Sequence, residues 1–271
     1  MSSRLETAFY DLGHLDLLAE KNTRIHQLDP RVKVVTTIVF IIYVVSFNKY
    51  EIADLLPFFL FPALLIGLAD LPFIYLLRKL LLVSPFVLFI GIFNPLLDRQ
   101  VVLQFGSLPI TGGWISLVSI LLRFVLTVGA ALLLIATTGF PEICMALEKL
   151  GVPKIVSVQL LMLYRYLFVL IEESIRMIRA YTLRSWTEKK PSYPVFKQLL
   201  GSLLLRTLDR AQRIHLAMLS RAFTGDIKVV RQFNFGSPEF LYLGVSLMML
   251  TIFRFVGVSE TLGRFFLEHS P

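Results

Sequence analysis

Five long apolar stretches constrain the fold of this chain more than any other feature of its sequence. A helix that crosses the ~30 Å hydrocarbon core of a bilayer needs about 17–25 largely apolar residues. The stretches cover approximately residues 32–47, 52–69, 80–97, 114–138 and 240–257. The first is marginal in length and contains Lys33, whose long side chain could snorkel to the lipid headgroups. The pattern predicts an all-α integral membrane protein with about five transmembrane helices.

Composition favours the same class of protein. Apolar residues make up 56% of the 271 residues and charged residues 17%, against about 45–50% and about 25% in soluble domains. The mean hydropathy is +0.72. Such a balance is typical of a protein whose surface faces lipid over much of its area.

Lysine and arginine are distributed unevenly between the segments that flank the predicted spans. Residues 1–33 hold five of them, the loop before the third span two, and residues 139–236 fifteen. The positive-inside rule places such segments in the cytosol, so we expect a cytosolic N-terminus and, after five crossings, an external C-terminus. The net charge of +8 then reflects membrane topology, and no nucleic-acid partner is expected.

This topology divides the chain into four predicted regions. They are a cytosolic N-terminal segment (1–31), a membrane domain of four spans (32–138), a cytosolic domain of long helices (139–236), and a last span with an external C-terminus (237–271). Between the third and fourth spans, Val101–Phe105 and Leu108–Thr111 flank Gly106-Ser107, which is typical of a short β-hairpin. A plain connector that caps the bundle is the alternative.

The predicted cytosolic domain contains one short and two long helices. The short helix covers residues 141–150 and ends before Gly151. A helix from about residue 154 to 185 follows, which is about 45 Å long at 1.5 Å per residue. Its first half is apolar and its second half charged, with Glu172 and Arg176 in the favourable i,i+4 order. We interpret it as a steeply tilted helix, and a sixth span is the alternative.

The second long helix, predicted from about residue 195 to 223, is amphipathic. Its apolar residues recur at i, i+3 and i+4 for six turns, as in a helix that lies at an apolar boundary. The stripe comprises Phe196, Leu199, Leu200, Leu203, Leu204, Leu208, Ala211, Ile214 and Met218. The opposite face carries Lys197, Arg206, Arg210 and Arg213. Gly225 is predicted to end the helix, since glycine commonly terminates helices.

Both long helices close in the same way. Arg184 is followed by Ser185 and Arg221 by Ala222, so each last turn carries an arginine and then a small residue. A cation there interacts favourably with the helix dipole, and arginine offers a planar set of donors to a partner. One such ending is most simply an ordinary C-terminal arginine, whereas two matched endings favour a shared function.

The sequence contains no arrangement that predicts catalysis. It lacks the Gly-x-x-x-x-Gly-Lys-Ser/Thr loop with which an ATPase binds phosphate, and its carboxylates are dispersed rather than clustered around a metal. The predicted spans contain neither His nor Cys, and imidazole is a ligand that suits ions such as Co²⁺ and Ni²⁺. We therefore predict a non-catalytic chain with no metal site or cofactor of its own.

Two arginines in apolar surroundings are predicted to be structural. Arg123 is the one charge deep in a span, where an ionisable residue is unusual. We expect it to bond within the bundle, with Asp54 or Asn94 as partner, or else to snorkel. Arg165 lies between two tyrosines. We expect it to join the tilted helix to the bundle, with Asp29 as a candidate partner. Asp29 and Pro30 are likewise predicted to be structural.

Four segments carry a further pattern, which extends over nearly the whole chain. They are His26-Gln27-Leu28-Asp29-Pro30-Arg31-Val32-Lys33, residues 163–168 with Glu172 and Glu173, residues 202–206, and residues 217–225. In combination they resemble the transmembrane T component of energy-coupling factor transporters. The resemblance is closest to the cobalt and nickel branch called CbiQ.

In that family the T component bridges two cytosolic ABC-type ATPases and a membrane subunit that captures the substrate. The resemblance implies that arginines of a signature, usually Ala-Arg-Gly, end two crossing helices and dock into the ATPases, which hold ATP and Mg²⁺. The matching positions are Arg184 with Ser185 and Arg221 with Ala222. Because Ser and Ala replace the signature glycines, a left-handed helix cap is less favourable here.

The resulting hypothesis is a non-catalytic coupling subunit of an ATP-driven importer of cobalt or nickel ions, in the cytoplasmic membrane of a bacterium or archaeon. Within the apolar stripe, Leu203, Leu204, Leu208 and Ile214 are predicted to pack the crossing helices or to contact the substrate-capture subunit. The lipid bilayer is the remaining partner. The alternatives are a T component of a vitamin importer and a self-contained membrane enzyme or channel.

Overall fold

Helices make up most of the computed structural model, which describes residues 16–48, 51–97, 101–105, 108–185, 192–225 and 236–255. In chain order they are α1 (Arg24–Gln27), α2 (Pro30–Val45), α3 (Leu60–Leu68), α4 (Phe73–Gly91), α5 (Phe93–Leu97), α6 (Gly112–Thr138), α7 (Phe140–Lys149), α8 (Lys154–Arg184), α9 (Tyr193–Leu219) and α10 (Ser237–Phe255). The predicted all-α class is confirmed.

The chain divides into two compact units. The first, here called the bundle unit, comprises Leu18–Gly139 and Phe233–Pro271, and the second, here called the long-helix unit, comprises Met1–Leu17 and Phe140–Gln232. The bundle unit therefore contains α1 to α6 and α10, whereas the long-helix unit contains α7, α8 and α9.

Four helices in the described part of the chain are long and apolar enough to cross a membrane, namely α4 with its extension to Pro95, α6, α8 and α10. Three of them overlap predicted spans, and α8 is the helix interpreted above as tilted. The second predicted span is interrupted, because two 3-10 turns, Ala53–Leu55 and Pro57–Phe59, precede α3. Pro57 lacks the N–H that a continuous α-helix requires at that point.

The helix α2 packs at the centre of the bundle unit, although it has only 16 residues. Its Phe40 and Val44 are completely buried in one apolar cluster with Phe58, Leu126 and Leu250. This cluster joins α2 to the segment before α3, to α6 and to α10. Lipid is as apolar as such a cluster, so its stabilising effect comes from van der Waals packing.

The predicted β-hairpin between the third and fourth spans is present. Strands β1 (Val101–Phe105) and β2 (Leu108–Thr111) pair antiparallel, and Phe105 pairs with Leu108. The predicted turn, Gly106-Ser107, lies outside the described residues. Strand β2 ends at Thr111, and α6 begins at the next residue, Gly112.

The long-helix unit follows the predicted order of one short and two long helices. The short helix α7 ends where Gly151 adopts a φ of 110° and Val152 donates its backbone N–H to the carbonyl of Leu147 at 3.0 Å. Helix α9 begins near the predicted position but ends at Leu219, earlier than residue 223. The prediction that Gly225 ends it is wrong, because the chain leaves the helix at Ala222.

Candidate functional site

The first arginine ending closes α8 without a left-handed residue. Arg184 is the last residue of this helix, and Ser185 follows with φ −93° and ψ 108°. The backbone N–H of Ser185 still donates to the carbonyl of Tyr181 at 3.0 Å. Serine adopts this extended conformation without strain, so the absence of glycine has no conformational consequence here.

The second arginine ending has a different geometry, and the prediction that Arg221 lies in the last helical turn is wrong, because α9 ends at Leu219. Ala222 adopts a φ of 54°, which places it in the left-handed region. The N–H of Phe223 donates to the carbonyl of Met218 at 3.1 Å, and that of Ala222 to the carbonyl of Leu219 at 3.0 Å. These two bonds form a Schellman motif with Ala222 at the position where glycine is preferred.

Both arginine side chains are available to a partner. Arg184 and Arg221 are exposed, and neither guanidinium has a hydrogen bond or ion pair with another residue in the part of the chain that the structure describes. Arg184 borders a hollow of about 440 Å³ that Tyr181, Arg176 and Arg206 also line. Five donors on each free guanidinium suit a carboxylate or a row of carbonyls on another chain.

An ion-pair network joins the charged half of α8 to α9. Arg206 of α9 contacts Glu173 of α8 at 3.1 Å. Arg176 lies 3.6 Å from Glu172, which confirms the predicted i,i+4 pair, and 3.9 Å from Glu173. Exposed pairs contribute at most about 1 kcal/mol each, so the network orients the two helices more than it stabilises them.

An apolar groove of about 500 Å³ lies between the first half of α8 and the second half of α9. We call it the α8/α9 groove. Its apolar lining includes Val158, Met162, Val169, Leu208, Ile214 and Met218. Of the four stripe residues predicted to make contacts, Leu208 and Ile214 line this groove, Leu203 is half-buried, and Leu204 is 59% exposed.

The long helices leave much of their surface without a partner. No residue of α9, all of which the structure describes, is buried, and within α8 only Ser157 is. Leu200, Leu204 and Leu205 are all more than half exposed along one side of α9. Apolar surface of this extent marks a site of protein or membrane contact.

The predicted structural residues Asp29 and Pro30 form the N-terminal cap of α2. The carboxylate of Asp29, which is 1% exposed, accepts the backbone N–H of Arg31 at 2.9 Å. Pro30 occupies the first helical position, where proline needs no hydrogen bond. This pair therefore fixes the start of the central helix.

The prediction that Lys33 snorkels to the headgroups is wrong. Lys33 is 3% exposed, and its Nζ donates to the backbone carbonyl of Thr137 at 2.9 Å and more weakly to that of His26 at 3.4 Å. Thr137 belongs to the last turn of α6, whose carbonyls lack partners within the helix. The sequence signal for this bond was only that a lysine stood inside an apolar run.

Two arginines of the bundle unit hold the loop that follows α2. Arg123 donates to the carbonyl of Asn48 at 2.6 Å, so its partner is neither of the two side chains predicted for it. Arg254 donates to the hydroxyl of Ser46 at 3.2 Å, and its guanidinium lies 4.1 Å from the centre of the Phe47 ring. No role was predicted for Arg254 from the sequence.

Arg165 lies exposed on α8, and the neighbouring tyrosine makes the contacts. The hydroxyl of Tyr164 donates to the carboxylate of Asp16, and its ring stacks on that of Phe140 at 4.6 Å. These contacts join α8 to the start of α7 and to the N-terminal residues of the long-helix unit. The pairing of Arg165 with Asp29 stays a prediction.

The described residues contain no group of three His, Cys, Asp or Glu side chains that could hold a metal ion. His26 is buried and makes a 2.6 Å hydrogen bond with Thr23, and His215 lines the α8/α9 groove. His14 and His269 lie outside the described residues. Cys144 is buried, and this burial raises the pKa of its thiol.

Comparisons with known proteins give concordant results. Residues 21–235 match the family CbiQ, described as cobalt transport protein. The chain is 27% identical over 255 residues to an uncharacterised protein of Methanocaldococcus jannaschii, covering 88% of this chain and 85% of that one. It is 27% identical over 216 residues to the energy-coupling factor transporter transmembrane protein EcfT of Bacillus subtilis, covering 74% of this chain and 81% of that one. It is 30% identical over 105 residues to the cobalt transport protein CbiQ of Salmonella typhimurium, covering 38% of this chain and 47% of that one.

Proposed function

The chain belongs to the CbiQ family of cobalt transport proteins, and we propose from this premise that it couples ATP hydrolysis on partner subunits to the import of cobalt or nickel ions. It is a multi-pass membrane protein of the T-component type. In the proposed role the chain performs no chemistry. Its long helices receive a movement from the ATPases and pass it to a membrane subunit that captures the metal ion.

The unpartnered surface of the long-helix unit is the observation that carries this proposal. A 27-residue helix with no buried residue is poorly explained by the needs of the isolated chain. Arg184 ends α8 and Arg221 lies in the turn that follows α9, and both are exposed and unpaired among the described residues. We assign these arginines, with Ser185 and Ala222, to contact with two ABC-type ATPases.

The apolar stripe supports a second contact. Leu204 is exposed, while Leu208 and Ile214 line the α8/α9 groove. We assign this surface, together with the half-buried Leu203, to the substrate-capture subunit. That subunit would select cobalt or nickel, and ATP with Mg²⁺ would be held by the ATPases, so this chain requires no cofactor.

The proposed orientation follows the distribution of positive charge. Residues 139–236 hold fifteen Lys and Arg residues, and the positive-inside rule assigns such a segment to the cytosol. We therefore propose that the N-terminus and the long-helix unit are cytosolic in the cytoplasmic membrane. In this orientation both arginine endings are accessible to soluble ATPases.

A T component that serves an importer of another substrate, such as a vitamin, is the second candidate. Its support is the similarity to the EcfT protein of Bacillus subtilis, which extends over 74% of this chain. The two candidates share the proposed coupling mechanism and differ only in the identity of the capture subunit. Identifying that subunit therefore distinguishes them.

The test is a mild-detergent affinity purification of the tagged full chain from its own membranes. We expect an ABC-type ATPase and a small membrane protein to purify with the wild type. The Arg184→Ala/Arg221→Ala variant is expected to lose the ATPase and retain the membrane protein. An Arg210→Ala/Arg213→Ala variant, which removes two exposed arginines from the same helix α9, serves as the matched control and should retain both.

Two outcomes would contradict the proposal. If the wild type purifies alone, the chain has no stable coupling partners, and a self-contained enzyme or channel becomes the better explanation. If the control variant loses the ATPase as completely as the Arg184→Ala/Arg221→Ala variant, binding depends on general positive charge and not on the two helix ends.

A further inference from the structure

A second groove, of about 960 Å³, lies within the bundle unit between α3 and α10. We call it the α3/α10 groove. Its walls are mainly apolar and include Phe61, Leu64, Leu65 and Leu68 of α3 and Leu241, Val245 and Met249 of α10. Leu64, Leu241 and Val245 are 45%, 70% and 58% exposed. The groove is therefore open along its length.

The groove has a defined direction along the helices. It extends from Leu68 at the end of α3 to Phe61, and from Leu241 near the start of α10 to Met249. Seven or eight helical residues correspond to about 10–12 Å at 1.5 Å per residue. At its far end the two segments meet, since the rings of Phe58 and Phe253 are 5.9 Å apart. The groove thus terminates near Phe58 and Phe253, and its other end lies where α3 finishes and α10 begins.

The charged and amide side chains of the lining lie at the end where α3 finishes and α10 begins, whereas the hydroxyls of Tyr242 and Ser246 lie along the α10 wall. The segment around α1 contributes Asn22, Arg24 and Gln27 to this end of the lining. Arg24 is exposed, and its guanidinium has no partner among the residues that the structure describes. The groove therefore has an apolar body and, at one end, a free cation flanked by two amide side chains.

The carboxylate at this end of the groove, that of Glu239, already accepts a hydrogen bond from the backbone of the same chain. Glu239 is 7% exposed, and its Oε2 accepts the backbone N–H of Gly236 at 2.9 Å. A carboxylate in the first turn of a helix is also stabilised by the helix dipole. Glu239 therefore acts as a cap of α10, and Arg24 remains the free charge of this groove end.

We propose that the α3/α10 groove binds one glycerophospholipid from the leaflet on the Arg24 side. Its phosphate accepts hydrogen bonds from the guanidinium of Arg24, with Asn22 and Gln27 as further donors. One acyl chain lies along Leu64, Leu68 and Val245. Basic pockets between transmembrane helices at a membrane surface bind headgroups in this manner.

A lipid suits this groove better than a helix of another chain does. The apolar walls are only about 10–12 Å long, which is short for a helix–helix contact across a bilayer of ~30 Å. Small residues that let two helices approach closely are scarce among the lining residues of α3 and α10, most of which are Leu, Phe, Met and Val. Arg24 at one end of the groove further requires an anionic group at headgroup depth.

The test uses native mass spectrometry of the purified full chain after reconstitution into phosphatidylglycerol vesicles and gentle re-extraction. We expect one phosphatidylglycerol to stay bound to the wild type. The Arg24→Ala variant should retain it at least about fivefold less often, as loss of one charge-assisted contact of about 1–1.5 kcal/mol implies. A groove-filling Val245→Trp variant should lose it as well.

Matched controls separate this site from general lipid contact. Arg78→Ala removes an exposed arginine near the start of α4, and Leu82→Trp enlarges an exposed apolar residue of α4, both outside the groove lining. Both controls should retain the lipid as the wild type does. Thermal stability measured beside the mass spectra identifies any variant that misfolds, in which case Leu64→Phe replaces Val245→Trp.

Three outcomes would overturn the proposal. The wild type holding no phosphatidylglycerol is one, and equal loss from Arg24→Ala and Arg78→Ala is another. The third outcome comes from a photo-crosslinker placed at position 245 in the native membrane. We expect this crosslinker to capture lipid. A crosslink to another polypeptide would identify the groove as a protein interface instead.

Discussion

The buried ammonium group of Lys33 donates a 2.9 Å hydrogen bond to the backbone carbonyl of Thr137. The bond joins the first turn of the central helix α2 to the last turn of α6, across 104 residues of sequence. A cation at a helix C-terminus is favoured by the helix dipole. In a largely apolar bundle this bond adds a specific polar contact to the apolar packing of α2 against α6.

Removal of this ammonium group should destabilise the bundle unit. Lys33→Met keeps most of the side-chain volume but leaves the Thr137 carbonyl without its buried donor. We expect a loss of about 1.5–3 kcal/mol, the range for hydrogen bonds that involve a charged group. Thermal unfolding in mild detergent measures the change. Lys197→Met, on the exposed face of α9, is the control, and equal melting temperatures for both variants would contradict the assignment.

Glycine at position 222 should stabilise the end of α9. Ala222 has a φ of 54°, and a non-glycine residue in this region is disfavoured by about 1–2 kcal/mol. Ala222→Gly should therefore raise the melting temperature. Ser185→Gly, at the extended end of α8, should give no gain. A rise for Ser185→Gly, or none for Ala222→Gly, would show that the two endings do not differ as described.

The contact between α8 and α9 should be stable only when positions 173 and 206 carry opposite charges, whichever position carries the negative one. Either Glu173→Arg or Arg206→Glu alone places like charges 3.1 Å apart in the wild-type geometry and should destabilise the pair by less than about 1 kcal/mol, because both groups are partly solvated. The double exchange should recover most of this loss. Unfolding at low and high salt measures the effect, which salt should weaken. If the double variant recovers no stability, Glu173 and Arg206 do not contribute an ion pair to the α8–α9 contact.

Stability should fall in mild acid because of His26. Burial, reinforced by nearby Lys33, lowers the pKa of this imidazole from 6.5, so the unfolded chain binds a proton that the folded protein excludes. Stability then rises with pH between the two values. We expect the stability of the folded protein to be highest above pH 6.5, where the imidazole is neutral in both states. Stability should then decrease as the pH falls toward the lower folded-state pKa of His26.

The measurement is the melting temperature of the purified chain between pH 5 and pH 8. His26→Gln should flatten the acid side of the curve, whereas the exposed His215→Gln should leave its slope as in the wild type. If His215→Gln flattens the curve instead, the proton is taken up in the α8/α9 groove and not at His26.

Local patterns in the sequence were sufficient for the class of protein and for most helix positions. Apolar runs of span length predict membrane helices whatever their neighbours are, and the bounds of α8 follow from Pro153 before it and the charged turn at its end. The hairpin was predicted for the same reason, since a turn between two β-rich runs is a property of about ten consecutive residues. The end of α9 was misplaced because its left-handed residue is Ala222, a type that rarely adopts this conformation.

The partners of the polar side chains were decided only by the tertiary structure. Lys33 contacts Thr137, Arg123 contacts Asn48, and Arg254 contacts Ser46. Each of these pairs joins positions at least 75 residues apart, so no local periodicity encodes it. Inside a membrane a cation takes whichever carbonyl the packed helix ends bring near, because water is absent there. The sequence alone determined that charges stood in apolar runs, and the packing of the helices around α2 determined where each charge is satisfied.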